Sequence, residues 1–128
     1  MSDTRHPPPP PAIELRYVKT VGDMDAAREA MDPNRPLLLV IKAPWCARCP
    51  AFGEAVGDLA TKFQFDYYYT DASDTELTEH YDVTKLPAFV LYKGPEAEPL
   101  VHSPATPEQV VGAVADSCTP VLQLDADV

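Results

Sequence analysis

Hydrophobic and polar positions along this chain change period several times, and each change predicts an element. Ile13–Thr20, "IELRYVKT", alternates apolar and polar side chains, as a half-buried strand does. Asp23–Met31 predicts a short helix, with Asp23 as its N-cap and Pro33 as its stop. Pro36–Ala43, "PLLLVIKA", is a continuous apolar run, the pattern of a strand covered on both faces. Phe52, Val56, Leu59 and Phe63 then recur at helical spacing and predict a helix over Cys46–Phe63. Gly53 and Gly57 each cost such a helix about 1 kcal/mol, which points to a close backbone contact or a bend. Phe65–Asp71 is aromatic-rich and strand-like, its three tyrosines expected to pack the sheet. Ser73 and Glu76 fit a capping box for a helix to about Tyr81. Ala88–Lys93 predicts another buried strand, "GPEAE" a turn, and Pro99–Ser103 a strand pairing back as a hairpin. Thr106, Pro107 and Gln109 supply N-cap, first-turn proline and N3 glutamine for a last helix to Cys118.

The order β-α-β-α-β-α-β-β-α defines an α/β fold. It implies a central mixed sheet, largely parallel, with helices on both faces and an antiparallel hairpin near the end. The 128 residues suit one domain, able to bury roughly two-thirds of its unfolded surface without metals or staples. The expected organisation is a flexible proline-rich arm over 1–12, the domain over 13–119 and an acidic tail over 120–128.

Composition narrows the function classes. A net charge of −10 argues against nucleic acid or anionic membrane as partner, since phosphates and acidic lipids repel such a surface. No apolar run approaches the ~20 residues needed to span a bilayer, and the start "MSDTRHPPPPP" lacks the apolar core of a secretory signal. The expected setting is therefore the reducing cytoplasm, and the expected state a monomer. Five of the 15 prolines form Pro7–Pro11, a stiff extended run that acts as a spacer or as a dock for an aromatic-lined partner.

Chemistry concentrates in "KAPWCARCP", Lys42–Pro50, where a buried strand hands over to an amphipathic helix. At i and i+3 near a helix start, Cys46 and Cys49 share one face, with Cα atoms near the ~5.5 Å a disulfide prefers. The helix N-terminus and its free N–H groups favour thiolate at Cys46. Lowering a thiol pKa from ~8.5 to ~7 raises the thiolate fraction at neutral pH from a few per cent to about half. Cys46 is then the attacking thiol and Cys49 the resolving one. Two other readings stay open: half of a zinc site, and inert core cysteines. Zinc needs four ligands, and Cys118, His6, His80 and His102 form no second pair, so no metal is expected. Cys118 follows Val110 and Val114 at four-residue steps and reads as core filler; His80 and His102 read as surface or edge residues.

"APWCARCP" resembles the tryptophan-led motif of the thioredoxin family, and "YDVTKLPAFVLYKG", Tyr81–Gly94, is similar to that family's segment bearing an active-site cis-proline. The resemblance covers Ile13 to Cys118. It implies the thioredoxin fold, a cis Leu86–Pro87 peptide facing the cysteines, and a shallow substrate groove formed by Trp45, Leu86 and Pro87. It also implies protein disulfide or dithiol substrates, with a thiol reductase or a small thiol as electron donor and no organic cofactor.

The chain departs from that pattern in three places. The family's buried aspartate, six positions before the first cysteine, is Val40 here, and its lysine partner in the next strand corresponds to Tyr67. Losing the pair removes a proton acceptor for Cys49. Ala47–Arg48 replaces a Gly–Pro dipeptide. The Arg48 guanidinium favours the reduced thiolate state, which makes the couple more oxidising, above the roughly −270 mV of thioredoxin and towards the roughly −180 mV of protein disulfide isomerase. Pro50 disfavours helical geometry at Cys49, so the helix is expected to start late or distorted. The expected activity is thiol–disulfide exchange with protein substrates. The alternatives are a binding or assembly module on the same fold, and a more oxidising isomerase or oxidase.

Overall fold

The computed structural model describes residues 15–121. The expected arm over 1–12, the start of the first strand at Ile13 and Glu14, and the tail from 122 lie outside the described residues.

Among the described residues seven strands and four helices follow one another: β1 (Leu15–Tyr17), α1 (Val21–Glu29), β2 (Leu37–Lys42), α2 (Cys49–Ala60), β3 (Phe63–Gln64), β4 (Asp66–Asp71), α3 (Leu77–His80), β5 (Ala88–Tyr92), β6 (Leu100–His102), α4 (Pro107–Ser117) and β7 (Thr119–Pro120). Five strands form the main sheet in the order β1-β4-β2-β5-β6. The β1–β4 and β2–β4 ladders are parallel, while β2–β5 and β5–β6 are antiparallel. The sheet is thus evenly mixed rather than largely parallel. The reason is the connection after β4. It holds only a 3-10 turn over Ala72–Asp74 and the one-turn α3, so the chain stays at the end where β4 finishes and β5 runs back from there.

Alternation along the strands builds two cores. Leu38 and Val40 of β2, Phe65 and Tyr67 beside and within β4, and Phe89 and Leu91 of β5 face α2 and α4, meeting Phe52, Val56, Leu59, Val110, Val114 and Cys118. Leu37, Leu39, Ile41, Tyr68, Ala88, Val90 and Tyr92 face the other way, against Met24 and Ala27 of α1 and Leu77 and Tyr81 of the α3 segment. β2 is buried on both faces, as its unbroken apolar run requires.

Several boundaries differ from expectation, each for a local reason. Thr20, not Asp23, caps α1: the Asp23 N–H donates to Thr20 Oγ1 at 3.0 Å, and the Asp23 carboxylate accepts from the Thr20 N–H. Ser73 and Glu76 form no capping box. Ser73 donates to Asp71, and the Glu76 carboxylate accepts from the Val21 N–H, so it caps α1 from across the fold. α2 ends at Ala60, where Lys62 N–H bonds back to the Leu59 carbonyl. Phe63 leaves the helix to form β3, which pairs with β7 in a two-stranded sheet that the periodicity did not suggest. The Thr106–Gln109 capping box of α4 forms as expected.

Candidate functional site

β2 delivers the chain to the site at Ala43, and two successive turns lead into α2. The Cys46 N–H donates to the Ala43 carbonyl at 3.1 Å and the Cys49 N–H to the Cys46 carbonyl at 3.3 Å. α2 starts only at Cys49, with Arg48 as N-cap and Pro50 in the first turn. The late start expected from Pro50 is therefore present, but it corrects the placement of Cys46, which lies in the turn before the helix rather than on it. The Cys46 and Cys49 N–H groups are both committed to turn bonds, and Pro50 has none to give. Arg48 sits at the N-cap rather than in a helical turn shared with Cys46.

The two cysteines form a disulfide, with Cα atoms 5.4 Å apart. Cys49 is buried at 6% exposure, whereas Cys46 is partly open to solvent. Ala47 and Arg48, between them, are exposed. An accessible sulfur bonded to a buried one is the asymmetry that directs attack to the outer atom.

Val40 lies in the core beneath the loop at 1% exposure, in a cluster with Phe52, Tyr67 and Phe89. Trp45 is 71% exposed, which excludes simple packing as its role. Leu86–Pro87 is a cis peptide, the isomer that the resemblance implied, and Ser103–Pro104 is a second one. The two loops are knit together: Ser103 Oγ accepts from the Thr84 and Lys85 N–H groups, and the Ala105 N–H donates to the Pro87 carbonyl at 2.7 Å. Cys118 is buried with Val110 and Val114 at the end of α4, where burial pushes its thiol pKa up to about 11. Among the described residues no group of three or more His, Cys, Asp or Glu side chains is placed to hold a metal ion.

A feature that sequence reasoning missed opens on the other flank of the cysteine loop. A cavity of about 910 Å³ runs between α2 and the β1–β4 side of the sheet, with Cys46 and Cys49 at one end. Tyr17, Tyr67 and Tyr69 line it on the sheet side, Gly53 and Gly57 on the helix side, and Glu54, Lys42, Asp71 and Asp74 carry its charges. Trp45, Leu86 and Pro87 are not among its lining. A Cβ added at Gly53 or Gly57 meets nothing within 4 Å, so of the two expectations, a close contact or a bend, the close contact is absent and these glycines border open space. Tyr67 and Tyr69 share parity along β4 and Tyr17 stands opposite Tyr69, but that register exists only in the folded sheet, so no sequence signal marked the cavity. Burial raises the pKa of Tyr67, and hydrogen bonds from Ser73, with Lys42 nearby, lower that of Asp71. The Lys42 ammonium lies 4.8 Å from the centre of the Tyr69 ring.

Comparison with known proteins agrees with this architecture. The Thioredoxin family model matches residues 18–118. The chain is 26% identical over 101 residues to the chloroplastic thioredoxin M4 of Arabidopsis thaliana, covering 76% of this chain and 47% of that protein. It thus spans about half the length of that curated relative. Among solved structures, reduced thioredoxin pre-protein of Schistosoma mansoni superposes with a TM-score of 0.70 at 19% identity, covering 81% of this chain and 98% of that one. Thioredoxin of Malassezia sympodialis gives 0.71 at 13% identity, covering 88% and 97%. A paired CxxC at the head of α2, in this sheet order, together with the family match, makes the chain a member of the thioredoxin family.

Proposed function

We propose that the protein is a thiol–disulfide oxidoreductase acting on protein substrates, with Cys46 as nucleophile and Cys49 as resolving thiol. The observation that carries this reading is the asymmetric pair, an accessible Cys46 joined to a buried Cys49. In the reducing direction the Cys46 thiolate attacks a substrate disulfide, forming a mixed disulfide and expelling one substrate thiolate. Cys49, deprotonated, then attacks Cys46 Sγ, which releases the second substrate thiolate and leaves the Cys46–Cys49 disulfide. Two electrons pass to the substrate, and a thiol reductase or a small thiol restores the dithiol. A reducing compartment such as the cytoplasm suits that cycle.

Val40 supplies no carboxylate from β2 to take the Cys49 proton, so water, the departing substrate thiolate or a carboxylate of the adjoining cavity is the acceptor. Trp45, standing out from the loop, and the cis Leu86–Pro87 segment are the substrate-facing surfaces in this reading. Arg48 and Ala47 tune the pair. An exposed guanidinium next to Cys49 favours thiolate over disulfide and moves the potential above thioredoxin's. Reductase action is tested by insulin precipitation with dithiothreitol. Wild type should accelerate it and Cys46→Ser should match the protein-free blank; no acceleration by wild type refutes turnover and leaves a binding role. Equilibration with glutathione tests the potential, and a value at or below roughly −270 mV removes the Arg48 argument.

A further inference from the structure

The cavity beside the disulfide has a lining that suits one kind of chain. Tyr17, Tyr67 and Tyr69 give it aromatic surfaces, and the absent side chains of Gly53 and Gly57 leave its helix wall open. Aromatic-lined grooves are the preferred dock of polyproline segments, whose extended form is already fixed and loses little entropy on binding. The lining carries three acidic groups, Glu54, Asp71 and Asp74, against the single base Lys42, while Lys19 pairs with Asp74 from outside at 3.2 Å. The acidic groups lie towards the cysteine end.

This chain carries a matching segment, "TRHPPPPP", Thr4–Pro11, just ahead of β1. β1 runs parallel to β4 with Leu15 opposite Tyr67 and Tyr17 opposite Tyr69. The chain therefore reaches β1 from the end of the cavity away from the cysteines. Residues 12–14 separate the proline run from β1, and a reverse turn, which takes four residues, would be enough to send the run back along the cavity. From Pro7 to Pro11 a polyproline helix rises about 12 Å at ~3.1 Å per residue. Tyr67 to Asp71 along β4 covers about 13 Å at ~3.3 Å each. A run laid back in that register would bring Arg5 and His6 towards Asp71, Asp74 and Glu54 of the lining.

We propose that Pro7–Pro11 of this chain docks in the tyrosine-lined cavity, with Arg5 at its acidic end, and so covers the flank of the cysteine pair. Tethering supplies an effective concentration in the millimolar range, so weak contacts suffice. The arrangement goes beyond the proposed exchange reaction and stands whether or not the pair turns over.

The test is made on the reduced full chain by NMR. Nuclear Overhauser contacts are expected between proline ring protons of residues 7–11 and the aromatic protons of Tyr67 and Tyr69. A full-length variant carrying Pro7→Ser, Pro8→Gly, Pro9→Ser, Pro10→Gly and Pro11→Ser should lose them and shift the Gly53 and Gly57 amide resonances. A synthetic peptide of sequence TRHPPPPPA, added to that variant, should restore the shifts, and should bind wild type at least tenfold more weakly because the site is filled. Absence of the contacts with unchanged glycine shifts overturns the proposal. So do contacts that map to Trp45 instead, contacts that vanish on dilution (a second copy's arm), or equal peptide binding to both proteins (a partner in trans).

Discussion

Cys46 and Cys118 are chemically the same side chain set to opposite uses by their surroundings. Cys46 stands in an exposed turn, whereas Cys118 is 7% exposed and its thiol is pushed up to about 11 by burial. Iodoacetamide at pH 8 should therefore label Cys46 in the reduced protein and spare Cys118 until denaturant is added, which peptide mass spectrometry reads directly. A thiol whose folded pKa is raised stabilises the fold fully below its unfolded value near 9, and that contribution fades as pH rises through 11. Cys118→Ala should accordingly flatten the alkaline fall in urea midpoints relative to wild type. At Val40 a carboxylate would be placed among Phe52, Tyr67 and Phe89 without its lysine partner. Val40→Asp is expected to cost roughly 3–5 kcal/mol at neutral pH. Burial raises the folded pKa of such an aspartate, so the loss should grow from pH 4 to pH 8; a pH-independent difference in chemical denaturation would refute this. Both positions were legible in the sequence, Cys118 from its four-residue steps and Val40 from the unbroken run of β2. The cavity tyrosines were not. Tyr68 packs one core and Tyr67 the other, and nothing local distinguishes a tyrosine that fills a sheet from one that borders open space.

Helix ends show what the sequence can settle and what it leaves to tertiary contact. The start of α4 was legible because cap, proline and N3 glutamine lie side by side. The start of α1 was not, because Thr20 and Asp23 are both good caps and only the folded backbone decides between them. Asp23 accepts from the Lys19 and Thr20 N–H groups, and these bonds hold its carboxyl below the usual range. Stability from this cap is therefore present above the unfolded aspartate value of 3.8 and disappears as pH falls through the lower folded one. Thr20→Ala should lower stability by about 1 kcal/mol in urea titration at pH 7, and a change under ~0.3 kcal/mol would show that the Asp23 bonds alone hold the end. The Glu76 contact with Val21 joins residues 55 apart, a partnership that no window of sequence displays. α2 lies between these cases. Pro50 announced its late start, but not that the preceding turns would consume the amides of both cysteines.

At the scale of the molecule, β2 is flanked by β4 and β5 and covered on both faces. Its amides, with those of the facing β4 and β5 residues, should exchange with solvent only on global unfolding. The edge strands β1 and β6 and the β3–β7 pair should exchange through local opening at lower free energy. Hydrogen exchange under mild denaturant checks this, and equal protection across β2 and β6 would contradict it. Element order was legible from periodicity, and so were the sheet's helix-covered faces. The balance of strand directions was not, since it follows from the brevity of α3. The β3–β7 pair was invisible because two residues make no pattern. That small pair nonetheless decides an orientation. With Val121 N–H bonded to the Lys62 carbonyl, the chain leaves the described domain beside the far end of α2, about 18 Å along the helix axis from Cys49. A surface or label coupled there would hold the protein with its disulfide pointing outward, so immobilising the molecule from this side should leave the reactive sulfurs open to large partners.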